Sequence, residues 1–188
     1  MKNLIIGLAV IVGLALIIGM SFASVYNGII TKHETITAKW AQVENQLQRR
    51  NDLIPNLVNS VKGYAAHEKN LFEDITNARS QWAKALNPDD KIKAAAGMDS
   101  ALSRLLAVVE NYPNLKADQS FLKLMDELSG TENRIVVERM RYNESVREYN
   151  ISVRSFPGNI IAGMFNYKVA TEYFKAEESA KKVPEVKF

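Results

Sequence analysis

The residues in this chain most able to do chemistry are the polar ones that interrupt its apolar seven-residue lines. Glu68 stands in a line with Val61, Ile75 and Trp82, and Arg50 closes a line of Ile29, Ile36 and Val43. Glu132 and Arg139 are seven apart, each four residues after a core position, while Arg79, Glu110 and Asn143 lie beside core positions. Isolated charges at such places cost several kcal/mol, so they should pair. The spacing predicts a semi-buried network in which Glu68, Glu110 and Glu132 meet Arg50, Arg79 and Arg139. One consequence is register specification, because polar seam residues penalise wrong helix alignments. The other is an inward-facing polar site whose charge responds to a ligand or to pH. Glu68 and Glu132 would be the carboxylate pair for acid–base work, but no substrate-binding pattern accompanies them.

The remaining chemistry is sparse. A di-metal bundle site carries Glu-x-x-His on two helices; the residues three before His33 and His67 are Ile30 and Tyr64. There is no Cys, hence no thiolate ligand, disulfide or Cys nucleophile. GxxxxGK[ST], GxGxxG, HExxH and GxSxG are all missing. His33, aligned with Trp40, reads as a core or interface residue, and His67 reads as structural. No catalytic, cofactor-binding or metal-binding residue is predicted, and no cofactor.

Helices must position the polar residues. The line Ile29, Ile36, Val43, Arg50 and its neighbour His33, Trp40, Leu47, Ile54 define helix one. Pro55 disfavours helical geometry at Ile54, which predicts a sharp bend or turn near residues 50–55. Helix two carries Leu57, Val61, Ala65, Phe72, Ile75, Trp82 and Leu86, and stops at Asn87-Pro88-Asp89-Asp90. There Asn87 can cap the next helix, Pro88 fits its first position, and two aspartates suit its positive end. Helix three carries Ala95, Leu102, Val109 and Met98, Leu105, Tyr112, up to Pro113. Helix four, capped by Asp118 or Ser120, has the longest register: Phe121, Leu128, Ile135, Tyr142, Tyr149, Phe156. Its apolar line passes unchanged through Ser129-Gly130, so it reads as continuous. Short connections and seven-residue lines predict an all-α fold, an antiparallel four-helix bundle. After Pro157, residues Ile160, Ile161, Met164 and Phe165 suggest a short apolar turn or helix.

One N-terminal transmembrane helix precedes the bundle. Leu4–Ala23 is 20 residues without a charge, about 30 Å as a helix, the thickness of a hydrocarbon core. The rival is a cleaved signal peptide, with Ser21-Phe22-Ala23 as the cleavage site. Ala15, Gly19 and Ala23 form a small-residue stripe suited to helix pairing in lipid. Lys2 on one side, with Lys32 and Lys39 on the other, leaves the orientation unset. The domain plan is a membrane anchor at 1–25, a helical bundle at 26–165 and a charged, partly extended tail at 166–188. Net charge is +3, too balanced for a nucleic-acid-binding face.

Several blocks together resemble the LemA family. They are Gln48-Arg49-Arg50-Asn51-Asp52-Leu53-Ile54-Pro55-Asn56-Leu57-Val58, then Val61-Lys62-Gly63-Tyr64-Ala65 with His67-Glu68. Glu110-Asn111-Tyr112-Pro113-Asn114-Leu115-Lys116 and Thr131-Glu132-Asn133-Arg134-Ile135 follow, then Arg141-Tyr142-Asn143, Tyr149-Asn150 and Phe156-Pro157. The resemblance implies a bacterial protein with one N-terminal membrane helix, a four-helix bundle, no settled molecular function and the bundle in the cytoplasm. The expected role is a non-enzymatic scaffold or interaction protein at the cytoplasmic membrane; the alternative is a membrane-tethered sensor using the polar inter-helix site. Expected partners are the lipid bilayer and an unidentified protein, with room for a homo-oligomer and none for nucleic acid.

Overall fold

The computed structural model describes residues 2–175. It is all-helical, with no strand among the described residues: α1 Lys2–Lys62, α2 Lys69–Lys84, α3 Pro88–Val109, α4 Pro113–Lys116, α5 Gln119–Arg154 and α6 Gly158–Met164. The chain divides into two compact units. The anchor unit holds residues 2–39 with 142–171, and the bundle unit holds 40–141 with 172–175. The tail expected from 166 therefore contributes to both units up to residue 175, and 176–188 lie outside the described residues.

In the bundle unit, the stretch of α1 from residue 40, α2, α3 and the stretch of α5 up to residue 141 make the four helices. Their core joins Ile54, Leu57 and Val61 of α1, Phe72 and Ile75 of α2, Met98, Leu102 and Leu105 of α3, and Phe121 and Leu128 of α5. The bend expected at residues 50–55 is absent, because α1 runs through Pro55 to Lys62. Proline inside a helix costs about 3 kcal/mol. Ile54, Leu57 and Val61 follow one face and are fully buried, and each contributes roughly 1.5–3 kcal/mol. Packing outweighs local preference, and the chain turns at residues 63–68 instead. Glu68 thereby leaves the seam: it is the residue just before α2, so the Val61–Trp82 line is split by a turn.

The helix ends expected further on are present. Asn87 Oδ1 accepts from the Asp90 amide, with Pro88 at the first helical position. Asp118 Oδ1 accepts from the Phe121 amide at the start of α5, which passes unbroken through Gly130. Two line-end residues, however, leave the core. Leu86 follows the end of α2, and Phe156 follows the end of α5; both are exposed.

The anchor unit has its own small core of Ile29, Tyr149, Val153, Ile161 and Ala162. The α5–α6 corner is tight: a Cβ on Gly158 would overlap the Ser152 carbonyl. The first two dozen residues of α1 carry large exposed side chains from Leu4 through Met20, and none of that run is buried by protein. An uncovered apolar stretch of this length suits a bilayer and not water.

Candidate functional site

Arg50 on α1 is only 2% exposed, so its guanidinium must be matched where it stands. Asp99 on α3 is in close contact with Nη1, Glu132 on α5 lies 3.2 Å from the same nitrogen, and the Ala95 carbonyl accepts from Nη2 at 3.4 Å. The other Asp99 oxygen is 3.5 Å from Arg139 Nη2. Two cations and two carboxylates thus form a balanced node joining α1, α3 and α5. Nearby ion pairs extend the pattern: Lys91 of α3 holds Glu44 of α1 and lies over the Trp82 ring of α2, and Arg104 of α3 meets Asp74 of α2 at 2.7 Å.

Of the seven residues predicted to form the network, Arg50, Glu132 and Arg139 come together. Glu68 stands at the start of α2, Arg79 is exposed on α2, and Glu110 is exposed and pairs with Lys116 at 2.5 Å. Asn143 is half-buried in the other unit. The residue that sequence reasoning missed is Asp99. The signal was available: beyond its first turn, Asp99 is the only acidic residue of α3, and it follows the core residue Met98. His67 is exposed in the turn before α2, and His33 is exposed on α1 with its ring edge-on to Tyr149.

The second constellation, also missed, grips the segment after α6. In the anchor unit, the Asn150 side chain makes a reciprocal pair of hydrogen bonds with Ala170: Nδ2 donates to its carbonyl at 2.8 Å and Oδ1 accepts from its amide at 2.9 Å. One turn-neighbour away, the Tyr149 hydroxyl donates to the Lys168 carbonyl at 2.9 Å. Burial pushes the Tyr149 phenol above its ordinary pKa, and the neighbouring Tyr167 adds to the shift. A side-chain amide facing an extended backbone satisfies one donor and one acceptor at once, so 168–170 is held as irregular chain without a strand. In the bundle unit, Phe174 stacks on Trp40 at 5.9 Å, and the Arg139 guanidinium lies 5.0 Å from its centroid. That contact is cation–π in kind.

No group of three or more His, Asp or Glu side chains able to hold a metal occurs among the described residues. In the node, each carboxylate is already engaged by a guanidinium. The arrangement fastens helices, and the Asn150 clamp fastens backbone.

The fold and these sites define a class: membrane-associated, all-helical proteins whose bundle is locked by internal ion pairs. The family model described as the LemA family matches residues 39–188, and the chain belongs to that family. Magnetosome protein MamQ 2 of Paramagnetospirillum magneticum is 31% identical, over 80% of this chain and 64% of the relative. Magnetosome protein MamQ of Magnetospirillum gryphiswaldense is 29% identical, over 79% and 64%. Protein LemA of Metamycoplasma hominis is 27% identical, over 70% of this chain and 60% of the relative. The chain therefore spans less than two-thirds of the length of these curated relatives.

Proposed function

We propose that this chain is a single-pass, membrane-tethered scaffold or interaction protein without enzymatic activity, held at the cytoplasmic membrane of a bacterium by Leu4–Ala23. The observation that carries the reading is the continuity of α1. One helix leads from the uncovered apolar run to Ile29 in the anchor unit's core and on to Ile54 in the bundle's. A tether raises the local concentration of anything bound in the same membrane. Retention of the run, against cleavage after Ala23, is supported by Phe22, whose ring lies 6.2 Å from Phe165. The surface for a partner is the outward side of α5, where Val136 and Met140 are exposed one helical turn apart. A sensor would act through the node, where Asp99 and Glu132 are already engaged by guanidiniums while the buried Arg139 Nε has no hydrogen-bond partner.

The test uses the absence of native Cys. Asp89→Cys and Asp118→Cys, labelled with an impermeant maleimide in cells, should react from one side only, and the protein should stay in the pellet after carbonate washing. A photoreactive residue at Met140 should give an adduct of one reproducible mass. An adduct at twice the chain's mass identifies a second copy, for which Ala15, Gly19 and Ala23 offer an exposed pairing stripe. Release by carbonate overturns the tether; no adduct from Met140 overturns the interaction surface.

A further inference from the structure

In water, a short helix packed by one face turns its polar face outward. α6 does not. Gly158, Ile161 and Ala162 face the protein and are buried, yet the opposite side carries exposed Ile160 and Met164 (67% exposed), bracketed by Phe156 (81%) and Phe165. From Ser155 to Tyr167 there is no charged residue, and the first charges on either side are Arg154 and Lys168, both exposed. An uncharged, largely apolar stretch fenced by cations, with Tyr26 and Tyr167 as neighbouring aromatics 6.4 Å apart, has the composition of a membrane interface. Phe156 sharpens the point: it ends a line of core residues but has no protein to cover it.

What covers this face is indicated by its neighbour. A cavity of about 280 Å³ is walled on one side by Ile17, Ile18 and Phe22 of α1 and on the other by Phe156 and Ile160, with the Ser21 hydroxyl as its one polar side chain. Ile17 to Phe22 belong to the run that crosses the bilayer. A segment sharing a cavity with them stands at the same depth. We propose that the α5–α6 corner sinks into the leaflet beside α1 and that this cleft takes a lipid acyl chain. The proposal rests on the membrane reading of Leu4–Ala23. It gives the protein a second, chain-internal membrane contact, so that the base of the anchor unit is embedded and its rotation about the single span is restrained.

Single cysteines at Ile160, Met164, Ile11 and Leu86 of the full chain, each carrying a fluorophore, are reconstituted in phosphatidylcholine vesicles with and without acyl-brominated lipid. Helicity by circular dichroism confirms that each variant is folded; a variant that fails is replaced by Phe156→Cys at the same corner. Expected is strong quenching at Ile11, comparable quenching at Ile160 and Met164, and none at Leu86 in the bundle. If Ile11 is quenched while Ile160 and Met164 are not, the corner lies outside lipid and the proposal is overturned with the span intact. An unquenched Ile11 removes the span and the proposal with it. Ile160→Cys that is shielded from an aqueous thiol reagent, unquenched, and disulfide-linked to another copy means that a second protein covers the face, and that also overturns the proposal.

Discussion

The two units solve opposite problems with the same pair of long helices. The bundle unit takes charge into its interior: Arg50 is almost sealed from solvent, and it is neutralised by Asp99 and Glu132 across two other helices. The anchor unit puts apolar groups on its exterior, with Phe156 and Met164 left uncovered, while its interior polar groups are hydrogen-bonded amides and hydroxyls. A buried ion pair fixes which helices meet, since misaligned helices would strand the charge. An uncovered apolar surface says that its surroundings are not water. On the proposed reading, the same chain meets two solvents.

The largest expected effect breaks the first half of that comparison. Asp99→Asn leaves Arg50 with a single, more distant carboxylate, and loss of one member of a buried pair costs about 3–5 kcal/mol. Asp99 retains some exposure, 26%, which places the expected loss toward the lower end. Arg50→Met removes the buried charge itself and leaves two carboxylates with access to solvent, so its cost should be smaller by at least about 1 kcal/mol. Both tryptophans, Trp40 and Trp82, belong to the bundle unit, so urea unfolding followed by tryptophan fluorescence reads it selectively. Equal losses for the two variants would show that Arg50 acts through packing alone.

The next two predictions act on the anchor unit. Gly158→Ala drives a methyl into the Ser152 carbonyl, a backbone atom with little freedom to retreat. Overpacking of this kind costs about 1–3 kcal/mol. The loss should appear as faster hydrogen exchange in α6, with the tryptophan signal of the bundle unchanged. Asn150→Leu keeps the volume and removes two hydrogen bonds to Ala170, stranding a half-buried backbone donor and acceptor for a loss of about 1–3 kcal/mol. Exchange at the Ala170 amide should accelerate most. If Ala170 exchanges freely in the wild-type chain, the clamp is not closed in solution.

Much of this architecture was readable from residue spacing. The caps at Asn87 and Asp118, the unbroken α5 and the apolar membrane run follow from local rules, because each depends on residues within one or two turns. The α1–α2 turn was not readable. Pro55 is a strong local signal, and only the burial of Ile54, Leu57 and Val61 together overrides it. The node was half readable for the same reason. Arg50, Glu132 and Arg139 carry the right chemistry at seam positions, but their shared partner Asp99 is chosen by the azimuth of α3, which a line of residues does not specify. Glu110 reads as a seam residue and finds Lys116 because α3 ends before it. The Asn150 clamp had no pattern to reveal it, since its partner is backbone twenty residues on.

The smallest expected effect at neutral pH sharpens the second half of the comparison, because it asks how dry the anchor unit's interior is. Burial, then the neighbouring Tyr167, raises the Tyr149 phenol above its ordinary value of about 10. The folded state therefore keeps this proton at a pH where the unfolded chain has lost it. Stability from this group is fully present below about pH 10 and declines as pH rises from there through the folded value. Tyr149→Phe gives up the hydrogen bond to the Lys168 carbonyl, worth about 1 kcal/mol, and in exchange loses its share of the alkaline slope. Exchange rates in α6 and at Ala170, measured between pH 8 and 11 and corrected for intrinsic chemistry, should thus converge for the two proteins at the alkaline end. Parallel curves would mean that the Tyr149 phenol ionises as freely in the folded protein as in water, and the interior around it would have to be wetter than its burial implies.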